Sequence, residues 1–105
     1  MQTIIAITLA AVSFSAGAED MTPDEMCGTY HDMAEAVMVS RQNEVPMVKV
    51  MAFFSDAPEG ARDIFNNIIM AAYEEPGYST PEYQQKAAAE FANQVTLECY
   101  RGLGY

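Results

Sequence analysis

The only histidine of the chain, His31, stands beside Asp32 and one helical turn before Glu35. An imidazole next to carboxylates could act as an acid–base pair or contribute to a metal site. Two ligands do not make a specific metal site, however, and no Ser or Cys stands in a recognisable nucleophile context. We therefore predict a hydrogen-bonded surface histidine, no bound metal or cofactor, and a protein that is not an enzyme.

Methionine is abundant in the chain, and Met47 and Met51 stand four residues apart. Thioether sulfur binds Cu(I), so two methionines on one helical turn suggest a copper-binding protein. Methionines at helical spacing are more often core fillers or flexible contacts on a binding surface. Copper binding is therefore a less favoured function than protein binding or acid-responsive chaperone activity.

Tyrosines and acids are concentrated around one predicted interhelical loop, at Tyr73, Glu74, Glu75, Tyr78 and Tyr83. A tyrosine offers a large contact area and a hydroxyl for orientation, which is typical of protein-binding surfaces. We call these five residues the Tyr-rich surface and identify it as a candidate surface for a protein partner. The alternative is that Tyr73 and Tyr83 close the core over the loop.

The first 18 residues have the pattern of a cleavable signal peptide. An apolar run from Ile4 to Phe14 is followed by Ala16-Gly17-Ala18, which fits a cleavage site before Glu19. The apolar run is about ten residues long, whereas a membrane-spanning helix needs about twenty. No Lys or Arg precedes the run, which departs from the usual pattern. We predict a periplasmic or secreted protein with a signal peptide at 1–18, a single domain at 19–105 and no stable membrane insertion.

Export bears directly on the two cysteines, Cys27 and Cys99. Thiols oxidise outside the cytoplasm, so a disulfide between them is the expected state. The bond would close a loop of about 70 residues, for which loop-closure entropy gives roughly 4 kcal/mol of stability. Two unpaired buried thiols are the alternative.

The charge of the chain excludes some partners. It carries 15 acids against 5 bases, a formal net charge of −10 at pH 7. Nucleic acids and anionic membrane surfaces favour clustered Lys and Arg, so neither is an expected partner. The acidic residues are explained most simply by solubility.

Pro, Gly and Ser divide the predicted domain into four helical segments. Thr22-Pro23-Asp24-Glu25 has the form of a capping box, which predicts a helix from Pro23 to about Gln42, with Asn43 closing it in the left-handed conformation. Its apolar positions recur at spacings of three and four. A short helix is expected within 45–54, since its apolar residues keep the same spacing.

Two further helices complete the predicted bundle. Asp56 should cap the third helix, which Glu74-Glu75-Pro76-Gly77 then breaks. Ser79 or Thr80 should cap the last helix, which ends at Gly102. Its inner face is predicted to carry Phe91, Val95 and Cys99. We therefore predict an all-α bundle of three long helices and one short helix, stapled by a disulfide between the first and last helices.

The order of these segments supports a resemblance. The chain carries, in sequence, Cys27, Arg41-Gln42-Asn43-Glu44-Val45-Pro46, Ala72-Tyr73-Glu74-Glu75-Pro76, Glu90-Phe91-Ala92-Asn93 and Cys99. In this order it resembles small exported proteins of unassigned function from bacteria and their phages. The resemblance implies no catalytic residues. Small acid-activated periplasmic chaperones are similar in size and in having one disulfide between helices, which is a likeness of architecture alone.

These observations favour a binding or regulatory module that contacts an unidentified protein through a helical face or through the Tyr-rich surface. An acid-responsive chaperone is the second hypothesis, because protonation of the carboxylates would leave the bases unopposed and favour exposure of apolar faces.

Overall fold

A computed structural model describes residues 21–105 of the chain, and the predicted signal peptide at 1–18 lies outside the described residues. The described residues form four α-helices: α1 (Pro23–Gln42), α2 (Met47–Phe53), α3 (Glu59–Glu74) and α4 (Pro81–Gly102). The predicted all-α fold of three long helices and one short helix is confirmed.

The first and last helices begin at caps that the sequence predicts. The Thr22 hydroxyl accepts a hydrogen bond from the Glu25 N–H at 3.1 Å, and the Glu25 carboxylate accepts one from the Thr22 N–H at 2.9 Å. Thr80 caps α4 by accepting from the Tyr83 N–H at 3.3 Å. These bonds satisfy amides that have no partner within the helix, which fixes where each helix starts.

Two predicted helix ends are wrong. Asn43 has φ −91° and is not left-handed. Glu44, one residue later, has φ 62°. Glu44 is the left-handed residue because α1 continues to Gln42. The Val45 N–H then donates to the Ser40 carbonyl and closes the end of the helix. Asp56 does not cap α3 either, since Pro58 occupies the cap position in an extended conformation and no side chain caps the helix.

Helix α4 runs antiparallel along α1. At one end, the predicted disulfide joins Cys27 to Cys99 with a Cα–Cα distance of 5.6 Å, which confirms the staple between the first and last helices. At the other end, the Gln42 side chain of α1 bonds to the Pro76 carbonyl just before α4 begins. A covalent bond and a hydrogen bond therefore hold the two ends of this helix pair.

Helix α3 runs in the same direction as α1. The Phe65 ring packs edge-on against Tyr30, with centroids 6.2 Å apart, and Tyr73 at the far end of α3 lies beside Arg41. Because α1 and α3 are parallel, the chain must return from the end of α1 to the start of α3. The segment that contains α2 makes this return. Phe54 at the end of α2 contacts Phe65 at 5.2 Å between ring centroids.

The core lies where α3 and α4 each pack on α1. Its largest fully buried side chains are Met38, Ile69, Val37 and Cys27. Helix α4 contributes the small residues Ala88 and Ala92 to the core, which allow its backbone to approach α1 closely. Phe91 and Val95, which were predicted on the inner face of α4, pack against this core but are only half-buried, and the half-buried Cys99 is bonded to Cys27.

Candidate functional site

The Tyr-rich surface divides into two parts in the structure. The Tyr73 side chain is half-buried, its hydroxyl donates to the Val45 carbonyl, and the Arg41 guanidinium lies 5.8 Å from its ring centroid. Burial raises the pKa of Tyr73, while the positive charge of Arg41 opposes this rise. Tyr73 therefore fastens α3 to the α1–α2 connection.

Tyr78 and Tyr83 form the exposed part of the Tyr-rich surface. Their ring centroids are 6.2 Å apart, and the two residues are 42% and 54% exposed. The side chains of Glu74 and Glu75 are also exposed, and Glu75 lines the same recess as Tyr78. The structure thus brings two aromatic rings and the Glu75 carboxylate together at the loop between α3 and α4.

The loop that carries Tyr78 is held by the end of α1, a feature that sequence reasoning missed. Gln42 is 5% exposed, and its amide donates to the Pro76 carbonyl at 2.9 Å and accepts from the Tyr78 N–H at 2.8 Å. The Arg41 side chain donates to the Glu75 carbonyl at 3.0 Å. A polar residue at a buried helical position was the available signal, because such residues need internal partners.

A long apolar groove separates α3 from α4. The two helices each pack on α1, but their backbones stay apart. The space between them has a volume of about 610 Å³. Its apolar lining comes from three helices and consists chiefly of Met26, Tyr30, Ile64, Ile68, Phe91 and Val95. We call this feature, with these six residues, the α3–α4 groove.

The charged residues that line the α3–α4 groove are acidic. Glu75 lies at the loop end and Glu98 near the disulfide end, with Asn67 and Gln94 between them. A smaller recess of about 330 Å³ shares Glu75, Phe91 and Gln94 with the groove and adds Tyr78 and Glu90. The groove therefore continues to the exposed tyrosines of the Tyr-rich surface, and together they form one face of the molecule.

The sequence pointed to the groove only indirectly. Residues at 64, 65, 68, 69 and 72 give α3 an apolar face wider than one neighbouring helix can cover. Ile64 at the edge of that face is 40% exposed. On α4, Phe91 and Val95 are likewise only half-buried. Apolar faces that one neighbouring helix cannot cover, on both α3 and α4, were thus the sequence signal for a groove.

The end of the bundle near the disulfide carries a second pair of tyrosines. The Tyr100 hydroxyl donates to the Asp24 carboxylate at 2.6 Å, and the Tyr105 ring lies 5.0 Å from the Tyr100 ring, centroid to centroid. This hydrogen bond raises the pKa of Tyr100. The contact joins α4 to the first turn of α1 beside Cys27 and Cys99.

The residues considered for acid–base or metal chemistry lie away from the α3–α4 groove. The His31 Nδ1 atom lies 3.2 Å from the Asp32 carboxylate, and the Glu35 side chain is exposed. Met47 is 40% exposed and Met51 half-buried on α2. Among residues 21–105, no three His, Cys, Asp or Glu side chains are grouped so that they could hold a metal ion.

Helix α2 exposes a separate apolar patch. Val48 is 73% and Phe53 79% exposed, and a pocket of about 280 Å³ between α2 and α1 includes Lys49 in its lining. None of the four helices in the described part of the chain is long and apolar enough to cross a membrane.

Comparisons of the chain with protein-family models, with curated proteins and with solved structures found no match. Arguments about function therefore rest on the site itself.

Proposed function

We propose that the protein is an exported binding module that acts through contact with another protein, and that the contact is made by the α3–α4 groove together with Tyr78 and Tyr83. The groove supports this proposal most directly. Apolar patches of this kind with polar edges mark interaction sites on small proteins, because exposed apolar area is otherwise unfavourable in water.

The composition of this face supports the same proposal. Aromatic side chains are enriched at protein interfaces, and Tyr30, Phe91, Tyr78 and Tyr83 contribute rings to the groove or to its loop end. Gln42 fixes the loop, so Tyr78 is positioned before a partner arrives. A pre-organised surface loses less conformational entropy on binding than a mobile loop.

Export is the second part of the proposal. The Cys27–Cys99 disulfide supports it, because such bonds persist in oxidising compartments and are rare in the cytosol. We expect the mature chain to begin at Glu19. Intact-mass analysis of the protein recovered outside the cytoplasm measures this directly, and a mass that includes Met1 would contradict cleavage.

The binding proposal is tested by photocrosslinking in cells that make the protein. A photoreactive side chain is placed at Ile64, which lines the groove, or at Met70, which lies on the same helix outside it. These two residues are 40% and 49% exposed, so neither replacement disturbs the core. We expect a discrete crosslinked protein from position 64 only. Equal crosslinking at both positions, or at neither, would contradict the proposal.

The groove also separates this proposal from an acid-responsive chaperone. Five of its six apolar side chains are at least partly exposed without any opening of the bundle, so a hydrophobic dye should bind already at pH 7. Replacing Ile64 with Lys should reduce that binding. A chaperone that exposes apolar surface on acidification would instead gain dye binding only as the pH falls.

A further inference from the structure

The shape and charge of the α3–α4 groove point to a particular class of partner. We infer that the groove binds a basic amphipathic helix, which lays its apolar face on the groove and its Lys or Arg residues along the acidic edges. This inference rests on the proposed function and specifies the chemistry of the partner.

The dimensions suit a helix of about four turns. Along α4 the groove and its recess extend from Ala87 to Leu103. At about 1.5 Å per residue this length is roughly 24 Å, which a partner helix of about 15 residues would match. Apolar side chains on both walls, Ile64 and Ile68 facing Phe91 and Val95, provide the hydrophobic contacts that a helix in a groove requires.

The charges select a basic partner. Three carboxylates line the groove and its recess, at Glu75, Glu90 and Glu98, and none of the five Lys and Arg residues, all of which lie in the described part of the chain, lines either one. Arg41, at the end of α1, donates to the Glu75 carbonyl. A basic helix therefore meets attractive charge along the groove, which speeds association and favours it over acidic competitors.

The same charges disfavour a second copy of this chain as the occupant. Each copy carries a formal net charge of −10. A symmetric dimer formed through the groove would place the same acidic edges against each other. Like charges brought together at an interface oppose association, so a basic partner is the better match.

The test uses the purified protein and three synthetic helical peptides of about 15 residues. The first has Leu at spacings of three and four and Lys at the other positions, so that Leu forms one face of the helix and Lys the other. The second has Glu in place of Lys, and the third is the first in scrambled order. Binding is measured by fluorescence anisotropy. We expect the first peptide to bind at least about tenfold more tightly than the other two, and more weakly at higher salt.

Matched variants locate the binding to the groove. Ile64→Lys places a positive charge within the groove, and Met70→Lys makes the same charge change on the same helix outside it. We expect Ile64→Lys to weaken binding about tenfold and Met70→Lys less than about twofold. Glu98→Gln should weaken binding about two- to fivefold, whereas Glu35→Gln, outside the groove, should not.

Three results would overturn the inference. Equal binding of the Glu peptide that Ile64→Lys still weakens would show that the groove is used but is not selective for basic partners, which leaves the proposed function intact. Equal weakening by Ile64→Lys and Met70→Lys would assign the binding to overall negative charge. Concentration-dependent dimerisation that Ile64→Lys abolishes would identify a second copy as the occupant.

Discussion

The replacement of Gln42 by Met tests the internal bond that holds the Tyr-rich loop. Methionine matches glutamine in length but cannot donate to the Pro76 carbonyl or accept from the Tyr78 N–H. Each lost hydrogen bond costs roughly 0.5–1.5 kcal/mol, so the free energy of unfolding should fall by about 2 kcal/mol. Urea unfolding followed by circular dichroism measures this change. The Tyr78 amide should also exchange its hydrogen faster with solvent.

Gln84→Met is the matched control for this experiment. Gln84 donates to the Tyr78 carbonyl at 2.7 Å, but this contact is exposed. Water can replace an exposed hydrogen bond, so the control should lose less than about 0.5 kcal/mol. Equal losses in Gln42→Met and Gln84→Met, or unchanged exchange of the Tyr78 amide in Gln42→Met, would refute the role assigned to Gln42.

Four other substitutions test three contacts elsewhere in the bundle. Cys99→Ser should lower the free energy of unfolding by about 4 kcal/mol, because the unfolded chain regains the entropy of the open loop. Cys27→Ser should lower it by more, because Cys27 is 0% exposed and a serine there would bury its hydroxyl. Labelling of both thiols in the folded, non-reduced protein would contradict this prediction. Hydrogen bonding to Thr22 lowers the pKa of Glu25 in the folded protein. The charged Glu25 therefore stabilises the fold at pH values above the pKa that it has in the unfolded chain. This stabilisation is lost as the pH falls through the lower pKa of the folded state. Glu25→Gln should therefore show a melting temperature that falls less on acidification than that of the unaltered protein; parallel curves would contradict the contribution of this carboxylate. Tyr73→Phe should lose about 1 kcal/mol in urea unfolding, since its hydroxyl no longer bonds to a carbonyl, and an unchanged midpoint would contradict that contact.

Local chemistry explains what the sequence predicted well. The capping box at Thr22 and the cap at Thr80 depend on residues within three positions of each other, and both are found in the structure. The Cys27–Cys99 pairing followed from the presence of only two cysteines in a chain predicted to be exported. Features that depend on neighbouring residues, or on a pairing with only one possible partner, can be predicted from a single sequence.

Long-range packing explains what the sequence did not predict. Periodicity marked Phe91 and Val95 as apolar positions of α4, but it cannot say which neighbour they face. The small side chains of Ala88 and Ala92 allow the closest approach to α1, and this turns the larger residues toward the groove. Gln42 was predicted only as a helix end, because its partners at the loop lie more than 30 residues away along the chain.

The attachment of α3 has a mechanical consequence for the groove. Helices α1 and α4 are joined by a covalent bond at one end, whereas α3 is held by side-chain contacts such as those of Phe65 and Tyr73. A covalent link limits how far two helices can separate during local opening, whereas side-chain contacts can break and form again. The distance between α1 and α4 is therefore restrained at the disulfide end, and any widening of the groove there must come from a movement of α3.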